Sequence, residues 1–265
     1  MPKIDLNYIR IPADEKIYGQ GYSFNSITQK EFDSFNPQML GLGDLSKDGK
    51  YINALAAFLD LQGFTEFCNQ LDSHLVIPEF IEKYSSWIFT EIATQFNEGT
   101  TNGRIKIWGS LPFYAKFLGD GILFLWNTDN CSGKASIKNI VGRLLRVITN
   151  YKTVFLPEIQ KNVSKPPLIL RCGISRGQII SLGDGQDYVG SCINMAARLQ
   201  KINSLTFAIS RRGFDLKASK GRLEKQLTLR KIKISGIGDD ELVYILKSEY
   251  NNCTSNVKKM FKDID

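Results

Sequence analysis

Apolar residues recur with two different periods over residues 51–249, and the changes of period predict the secondary-structure elements. Asn53–Leu61 is apolar at nearly every position, which indicates a buried strand. Gly63 then permits a turn, and the stretch FTEFCNQL begins a helix. Pro78 marks the start of a second predicted helix. The apolar positions of that helix follow at helical spacing: Ile77, Phe80, Ile81, Tyr84, Ile88, Ile92 and Phe96.

The next segment predicts a hairpin and a third helix. The apolar runs Phe113–Leu118 and Gly121–Trp126 flank a Gly119-Asp120 turn, which is typical of a β-hairpin. Apolar residues at helical spacing then predict a helix over Ile137–Ile148.

The remaining elements complete a recognisable order. Leu168–Ile174 and Gln178–Leu182 are interpreted as two strands around a glycine turn, and Gly190–Ile202 as a helix. Three late strands have the sequences FAIS, LRKIKI and LVYIL. The core order β-α-α-β-β-α-β predicts an α/β (α+β) fold, a ferredoxin-like split βαβ sandwich with extra strands after it.

Both ends of the chain differ from this main domain, which we place at residues 49–249. Residues 1–48 contain several prolines and glycines and are predicted to form an irregular N-terminal arm. The arm has aromatic residues that favour packing against another surface: Tyr18, Tyr22, Phe24, Phe32 and Phe35. Residues 250–265 are predicted to be a polar, basic tail.

Composition narrows the class of protein. The chain is 43% hydrophobic and 23% charged, which excludes wholesale disorder. It has neither a run of about 20 apolar residues nor a signal-peptide core, so we expect a cytoplasmic protein without a membrane partner. The five cysteines form no CxxC pair and His74 is the single histidine, which argues against a zinc site or a Ser-His-Asp triad. A metal ion would therefore be held by carboxylates, as Mg²⁺ or Mn²⁺ is.

The net charge is 34 − 27 = +7 at pH 7. An excess of positive charge favours polyanionic partners such as nucleotides or nucleic acid. The basic residues are spread along the chain, however, and a solvated, mildly basic surface explains them as well.

Two aspartates are candidate metal ligands. Asp60 ends a buried strand, and Asp120 lies at the tip of the hairpin. Taken singly, they have the simpler explanations of helix capping and turn formation. In the predicted sandwich, however, their strands are neighbours, and two facing carboxylates repel unless a divalent cation lies between them. The helix N-terminus at Gly63, Phe64 and Thr65 would direct free N–H groups to the same place, which suits a phosphate.

Three motifs now carry a family resemblance. FLDLQGFTEF resembles the F-x-D-[IL]-x-G-F-T signature of class III nucleotidyl cyclases, and AKFLGDGILFLW resembles their K-x-x-G-D hairpin. RCGISRGQIISLGDGQDYVGSCINMAARLQ resembles their R-x-G-I-x-x-G strand and D-x-x-G-x-x-x-N-x-A-x-R helix. The resemblance covers roughly residues 50–248. It implies an enzyme, a phosphorus-oxygen lyase that forms a 3',5'-cyclic nucleotide and pyrophosphate from a nucleoside triphosphate.

The resemblance also implies metal ligands and partners. Asp60, Asp120 and the Leu61 carbonyl would hold two divalent ions, Mn²⁺ or Mg²⁺, in each site. The site would lie between the two chains of a homodimer, with no nucleic acid involved, and a separate effector would read the product.

Further roles are implied for the helix and the base pocket. Asn194 would orient the ribose, and Arg198, four residues later on the same helical face, would stabilise charge on the α-phosphate. Lys116 and Asp187 fall on the positions that read the base.

The identity of the base stays open on these residues. In the wider family a lysine and an aspartate accompany adenine, yet the same donor and acceptor also match cytosine and uracil. Nearby aromatic residues, Tyr114, Phe117 and Tyr188, would shorten a pocket, although they also suit an ordinary core.

One family feature is absent. The V-K-G-K-G turn, in which a lysine binds the triphosphate, reads ISGIG here, with Ser235 and Ile237 at the lysine positions. Lys233 is the candidate substitute for this contact, and Lys231 and Arg230 are alternatives.

A second resemblance concerns biology. The lone cyclase domain with an N-terminal arm looks like the stand-alone pyrimidine cyclases of bacterial anti-phage (Pycsar) operons, which make cyclic UMP or cyclic CMP. UTP is therefore the first expectation and ATP the runner-up. Two alternative hypotheses concern other classes of protein: a catalytically dead cyclase-like regulator and an RNA-binding ferredoxin-like module. The strand signature of the RNA-binding module, G-F-[GA]-F-V-x-F, is missing here.

Overall fold

The computed structural model describes residues 8–18, 20–21, 23–34, 36–101, 105–108, 111–129, 134–202, 204–213 and 222–264. Two compact units make up the chain. The first unit combines the residues up to Lys50 with Ile180–Val189, and the second comprises Tyr51–Ile179 and the residues from Gly190 onward.

The elements follow in chain order. Up to the hairpin they are β1 (Ile9–Pro12), α1 (Glu15–Tyr18), β2 (Ser23–Ser26), α2 (Gln29–Ser34), β3 (Tyr51–Gln62), α3 (Phe64–Cys68), α4 (Ser73–Gln95), β4 (Asn97–Thr101), β5 (Ile105–Trp108), β6 (Tyr114–Phe117) and β7 (Gly121–Asn127). After it come α5 (Lys134–Asn150), a π-helical turn (Tyr151–Phe155), α6 (Leu156–Ile159), β8 (Ile169–Leu182), β9 (Asp187–Val189), α7 (Ser191–Leu199), β10 (Phe207–Ser210), α8 (Arg222–Gln226), β11 (Leu227–Ile234), β12 (Gly238–Leu246), α9 (Lys247–Asn252), α10 (Ser255–Lys258) and β13 (Phe261–Lys262).

The main sheet has the strand order β13-β11-β12-β10-β8-β3-β7-β6 across the described residues. Four of these strands, β8-β3-β7-β6, have the order 4-1-3-2 that defines a ferredoxin-like sandwich, because β3, β6, β7 and β8 are the first to fourth strands of the predicted core. The predicted order and hairpin are therefore confirmed. β10, β11 and β12 extend the sheet beyond β8, as expected.

Side-chain alternation gives this sheet two distinct faces. In β3, the odd-numbered residues from Leu55 to Leu61 join the large core formed with Phe80, Tyr84 and Val141 of α4 and α5. The even-numbered residues, which include Asp60, point to the opposite face, on which α7 packs. We call this second face the α7 face.

Strand β8 corrects one prediction. The sequence suggested two strands joined by a turn at Gly177, whereas β8 is one continuous strand of 14 residues. A Cβ at Gly177 would lie 3.2 Å from the Cβ of Cys192, and one at Gly173 would lie 2.6 Å from the Gln200 nitrogen and overlap the Ala196 carbonyl oxygen. Both glycines therefore allow α7 to approach the sheet, and neither forms a turn.

Pro78 also has a different place from the one predicted. Helix α4 begins at Ser73, so Pro78 lies inside it. The helix begins earlier because the Asp72 carbonyl accepts the N–H groups of Leu75 and Val76, and the Val76 side chain is buried. The apolar stripe itself is confirmed, since Phe80, Tyr84 and three further positions, Ile88, Ile92 and Phe96, are buried.

The first unit is more regular than the sequence suggested. Its described residues include the antiparallel pair β1–β2 and two short helices. The rings of Tyr18 and Phe24 lie 5.1 Å apart, yet both side chains and Phe32 stay exposed. Tyr22 and Phe35 lie outside the described residues.

Residues 41–50 are held to the turn after β8 within the first unit. Gly43 and Gly183 pack so closely that a Cβ on Gly43 would lie 2.7 Å from the Gly183 carbonyl oxygen. The Ser181 N–H donates to the Lys50 carbonyl oxygen at 3.0 Å, and Lys47 pairs with Asp184 at 2.5 Å. This segment therefore supports the hairpin that carries Asp187.

Residues 250–264 are also structured, in contrast to the predicted polar tail. β13 pairs antiparallel with β11, and Phe261 and Cys253 are buried beside Ile232 and Ile234. The division into arm, main domain and tail as separate domains stays a prediction. Among the described residues, no helix is both long and apolar enough to span a membrane.

The close approach at Gly173 gives a stability test. We expect Gly173→Ala to lower the free energy of unfolding by about 2–3 kcal/mol, because the new methyl group overlaps the backbone of α7. Urea denaturation measures the change. Gly142→Ala is the matched control, because it lies in α5 with nothing within 4 Å of its added Cβ and should raise stability by about 0.5–1 kcal/mol. Equal effects of the two substitutions would contradict the close contact.

Candidate active site

The two predicted metal-binding carboxylates lie side by side at one end of β3. Asp60 is opposite Gly121 in the register of β3 and β7. The Leu61 N–H donates to the Asp120 carbonyl oxygen at 3.0 Å, which fixes the hairpin turn beside the end of β3. Asp60 is buried, at 3% exposure, and Asp120 is half-buried. The structure therefore brings these two predicted ligands together.

Arg171 is a site residue that the sequence reasoning missed. It lies on β8, on the same α7 face as Asp60, and its Nε donates to Asp60 Oδ2 at 3.1 Å while an Nη atom contacts the same oxygen. Burial raises the pKa of the Asp60 carboxyl, and the nearby Asp120 charge raises it further. The Arg171 guanidinium opposes both effects and stabilises the ionised form.

The donor set fits a divalent cation. Asp60 and Asp120 supply hard carboxylate oxygens from adjacent strands, as Mg²⁺ and Mn²⁺ prefer. In the part of the chain that the structure describes, no cluster of three or more His, Cys, Asp or Glu side chains could hold a metal alone. An ion at this site would therefore complete its shell with water and phosphate oxygens, which is the usual arrangement for Mg²⁺ in phosphoryl transfer.

Gly63, Phe64 and Thr65, the predicted phosphate contacts, lie at the start of α3. Gly63 has φ +86° and precedes the helix, so Phe64 and Thr65 lie at the helix N-terminus. The exposed Glu66 side chain is near this turn, since one of its carboxylate oxygens lies 3.3 Å from the position that a Cβ on Gly63 would take.

Asn194 and Arg198 are exposed on one face of α7, as the four-residue spacing predicts. The Arg198 guanidinium lies against Gly236 in the β11–β12 turn, where an added Cβ would be 3.1 Å from an Nη atom. Asn194 lines a cavity of about 290 Å³ next to the same turn. We call this cavity the α7 cavity; the polar residues that line it are Ser175, Arg176, Ser191, Asn194 and Arg212.

The α7 cavity and the aspartate pair are separated along β8. Arg171 contacts Asp60, and Ser175, which lines the cavity, follows Arg171 by four residues. Four residues of extended strand correspond to roughly 13 Å. The structure therefore does not bring Asn194, which lines the cavity, into contact with Asp60 within a single chain.

Lys116 and Asp187 occupy strands in different units. Lys116 is half-buried on β6, and alternation places it on the same sheet face as Tyr114 and opposite to Phe117. Asp187 lies on β9, where its carboxylate accepts the Tyr188 N–H at 2.8 Å. The Tyr188 hydroxyl packs against Gly185, 2.9 Å from the position of an added Cβ. Of the two aromatics on β6, Tyr114 is therefore the one that shares a face with Lys116.

The structure does not bring Lys233 to the α7 cavity. In β11, Ile232 and Ile234 pack with Met195 of α7, so Lys233 between them points to the other face of the sheet. Its ammonium group pairs with Asp239 at 2.8 Å on the surface. Among the alternatives, Arg230 lies over the Tyr250 ring at 4.6 Å.

Comparison with known proteins establishes the fold. No family model matches the chain, and no curated protein matches it. It is similar to the crystal structure of the adenylyl cyclase CyaB from P. aeruginosa, with a TM-score of 0.55 and 16% identity over 76% of this chain and 96% of that one. The guanylyl cyclase Cya2 gives a TM-score of 0.54 and 17% identity over 76% and 94% of the two chains.

A third solved structure agrees with these two. The catalytic core of a rhodopsin-guanylyl cyclase with converted specificity, in complex with ATPαS, gives a TM-score of 0.50 and 16% identity over 76% of this chain and 98% of that one. The chain therefore has the α/β fold of class III cyclase catalytic domains, and the predicted fold class is confirmed.

The buried Asp60–Arg171 pair gives a prediction that involves no metal or turnover. We expect Arg171→Gln to lower the free energy of unfolding at pH 7 by about 3 kcal/mol, because the Asp60 carboxylate stays buried without its counter-charge. The loss should shrink as the pH falls through the pKa of Asp60, because a protonated Asp60 needs no cation.

Urea denaturation in EDTA between pH 7 and pH 4 measures this difference. Arg146→Gln removes an exposed arginine from α5 and should stay within about 0.5 kcal/mol of the wild type at each pH. A loss for Arg171→Gln that does not depend on pH would show that the pair is not electrostatic.

Proposed function

We propose that the chain is a nucleotidyl cyclase that forms a 3',5'-cyclic nucleotide and pyrophosphate from a nucleoside triphosphate. The observation that carries the proposal is the placement of four side chains on this fold. Asp60 and Asp120 meet at one end of β3, and Asn194 and Arg198 share one face of α7. Each pair has the chemistry that one half of the reaction requires.

The proposed reaction joins the ribose 3′-oxygen to the α-phosphorus and breaks the bond to the pyrophosphate oxygen. Asp60 and Asp120, helped by the Leu61 carbonyl, would hold two Mn²⁺ or Mg²⁺ ions. When bound, these ions supply charge neutralisation at the phosphates and acidify the attacking hydroxyl. Because Arg171 already neutralises one oxygen of Asp60, it is positioned to keep that carboxylate ionised before metal and substrate arrive.

The second half of the site belongs to α7. Asn194 is proposed to form hydrogen bonds with the ribose. These bonds would hold the attacking 3′-oxygen in line with the bond between the α-phosphorus and the pyrophosphate oxygen. The Arg198 guanidinium stays charged at all relevant pH values and presents several donors to the negative charge that develops on the α-phosphate. Its contact with Gly236 limits the directions in which the side chain can extend.

We infer that two chains share each site. In a single chain, Asn194 lines a cavity that lies roughly 13 Å along β8 from the Asp60–Arg171 contact, and a second copy would supply the missing half. A two-fold homodimer satisfies this need twice, because an isologous interface places the aspartates of each chain opposite the α7 residues of the other.

Mixing two inactive variants tests the shared site. Asp60→Ala and Arg198→Ala should each lower cyclase activity at least a hundredfold, whereas an equimolar mixture should recover up to a quarter of the wild-type activity. Recovery is expected because half of the randomly formed dimers are mixed and each mixed dimer has one intact site.

The control is a mixture of Asp60→Ala with Asp120→Ala, in which both lesions fall on the same half-site and every site stays defective. No recovery in the first mixture, with mixed dimers demonstrated by mass spectrometry, would overturn the shared-site proposal.

The proposed substrate is UTP, with cyclic CMP from CTP as a further product and ATP as the alternative substrate. Lys116 and Asp187 offer a donor and an acceptor that suit all three bases. Selection against purines would then come from steric exclusion, and Tyr114 on the Lys116 face is the residue placed to shorten the pocket. The proposed biological role is anti-phage defence, with the product read by a separate effector.

A substrate panel tests this assignment. With Mn²⁺ and equal concentrations of UTP, CTP, ATP and GTP offered separately, we expect cyclic UMP as the main product and little cyclic AMP, identified by mass spectrometry. Tyr114→Ala should raise the ratio of purine to pyrimidine turnover, whereas Phe117→Ala, on the opposite face, should leave the ratio unchanged.

Cyclic AMP as the dominant wild-type product would assign the chain as an adenylate cyclase and leave the reaction type standing. RNA binding without turnover of any nucleotide would favour the RNA-binding alternative. Nucleotide binding without either would favour a catalytically dead regulator.

A further inference from the structure

The β1–β2 hairpin of the first unit has an apolar face that stays exposed. Ile11 lies directly opposite Phe24 in its register, so these two side chains share a face, and strand alternation places Ile9 on that face too. The Tyr18 ring packs edge-on against Phe24 at 5.1 Å. All four side chains are 47–65% exposed. We call the set Ile9, Ile11, Tyr18 and Phe24 the arm face.

The opposite face of the hairpin is polar. Arg10 and Asn25 are cross-strand partners on it, and Ser23 lies there opposite Pro12. These residues are exposed as well. An antiparallel sheet with one apolar and one polar face normally packs its apolar face on a core. The single chain therefore shows an amphipathic hairpin whose apolar face has no cover.

The first unit has almost no core of its own. Among its described residues, Ala13 is the only buried hydrophobic side chain, and helices α1 and α2 bury none. In the part of the chain that the structure describes, β1 and β2 pair only with each other. A two-stranded hairpin alone is marginally stable in water, so this one needs a surface to pack on.

Charge favours a protein as that surface. Residues 1–50 have 6 basic and 7 acidic residues, so their net charge is 6 − 7 = −1. Residues 51–265 then have 28 − 20 = +8. A segment without positive net charge is not attracted to nucleic acid or to an anionic membrane. The basic remainder of a second copy, in contrast, is electrostatically compatible with it.

The attachment of the arm points to the same partner. Residues 41–50 pack on the turn after β8, through Gly43 on Gly183 and Lys47 on Asp184. That turn leads into β9, which carries Asp187, a residue proposed to read the base in a site that two chains share. The arm is therefore anchored beside a residue of the proposed dimer interface.

The size of the arm face suits a dimer contact. A half-exposed side chain of this kind presents on the order of 100 Å². Four of them present roughly 400 Å², and an arm covers a similar area of the surface on which it packs. Two-fold symmetry repeats this contact, which gives roughly 1,600 Å² in total, the size of a standard specific interface.

We propose that the arm face docks on a second copy of this chain, so that each arm of the homodimer covers part of its partner. This inference rests on the proposed function for the shared site. It extends that proposal because the first unit becomes part of the dimer interface, although residues 1–48 precede the predicted cyclase domain.

Sedimentation velocity over a concentration series tests the contribution of this face to dimer formation. Phe24→Lys and Ile11→Lys should each raise the dimer dissociation constant at least tenfold, because each places a charge in an apolar contact. Ser23→Lys is the matched control, since it adds the same charge at the neighbouring exposed residue on the opposite face, and it should stay within twofold of the wild type. Equal effects at Phe24 and Ser23 would overturn the proposal.

Photo-crosslinking of the full chain tests the contact without adding a charge. Benzoylphenylalanine replaces Phe24 by another aromatic side chain. Phe89 of α4 is the matched control position, because it is also 51% exposed and its ring meets one neighbour, Phe124, edge-on at 5.4 Å. After subunit exchange between unlabelled and ¹⁵N-labelled chains, a crosslinked peptide pair of mixed isotope comes only from two different chains. Position 24 should give at least five times more mixed pairs than position 89.

Other occupants of the arm face give other results. Crosslinks from position 24 that join peptides of one isotope only would show that the arm face packs on its own chain, and they would overturn the proposal. Flotation of the wild-type chain with phosphatidylglycerol vesicles, abolished by Phe24→Lys and found in place of mixed crosslinks, would assign the face to a lipid surface instead.

Failure of this inference and failure of the proposed function are distinguishable. Cyclic nucleotide formation by a dimer whose dissociation constant is unchanged by Phe24→Lys and Ile11→Lys would overturn the inference alone. Mixed-isotope crosslinks from position 24 in a chain that converts none of the four nucleoside triphosphates would support the arm contact and remove the cyclase proposal.

Discussion

The contact between helix α7 and the sheet is the constraint on which the candidate site depends. Gly173 and Gly177 of β8 leave no side chain between the strand and the helix, so α7 lies close to the backbone. This position fixes the directions of Asn194 and Arg198, and it also sets the depth of the cavity next to the Gly236 turn. An added methyl group at either glycine would push α7 away from the sheet and would move Asn194 and Arg198 with it.

One face of the sheet carries most of the hydrophobic core, and the other carries the residues of the candidate site. The face covered by α4 and α5 holds the large aromatic and aliphatic core, with Phe80, Tyr84 and Trp126 fully buried. The α7 face is covered by a helix of nine residues, which leaves room for charged groups at both ends of β3. Asp60 and Arg171 lie at one end of β3, and the α7 cavity begins at Ser175, four residues further along β8. This separation is one reason for the proposal that two chains share each site.

Buried carboxylates orient arginines at two places in the fold. Asp60 holds Arg171, and Glu241 holds Arg212 through both of its oxygens. In each case a nearly inaccessible acid fixes a guanidinium group whose other donors remain available. A guanidinium fixed in this way loses less conformational entropy when it binds a phosphate than a free surface side chain would. The same arrangement, a buried acid that orients an arginine, therefore occurs twice in the fold.

The sequence by itself predicted the elements of the central core and the residues of the candidate site. Continuous apolar strands, the Gly119-Asp120 hairpin and the helical stripe from Phe80 to Phe96 are local patterns, and local patterns follow from side-chain periodicity. Asp60, Asp120, Asn194 and Arg198 were predicted from motifs, and the structure places each aspartate and each α7 residue beside its expected neighbour.

Only the tertiary structure decided the roles that depend on distant residues. Gly177 looked like a turn because its sequence does not show that Cys192 packs above it. Arg171 lies 111 residues from Asp60 in the sequence. Arg176 binds Thr128 and Gly213, which also lie in other parts of the chain. Local spacing therefore does not predict these contacts. Lys233 was the expected phosphate contact, but its side chain lies on the face of the sheet opposite to α7, because side chains alternate along β11. Periodicity acts within one element, whereas burial and charge pairing act between elements that the fold alone brings together.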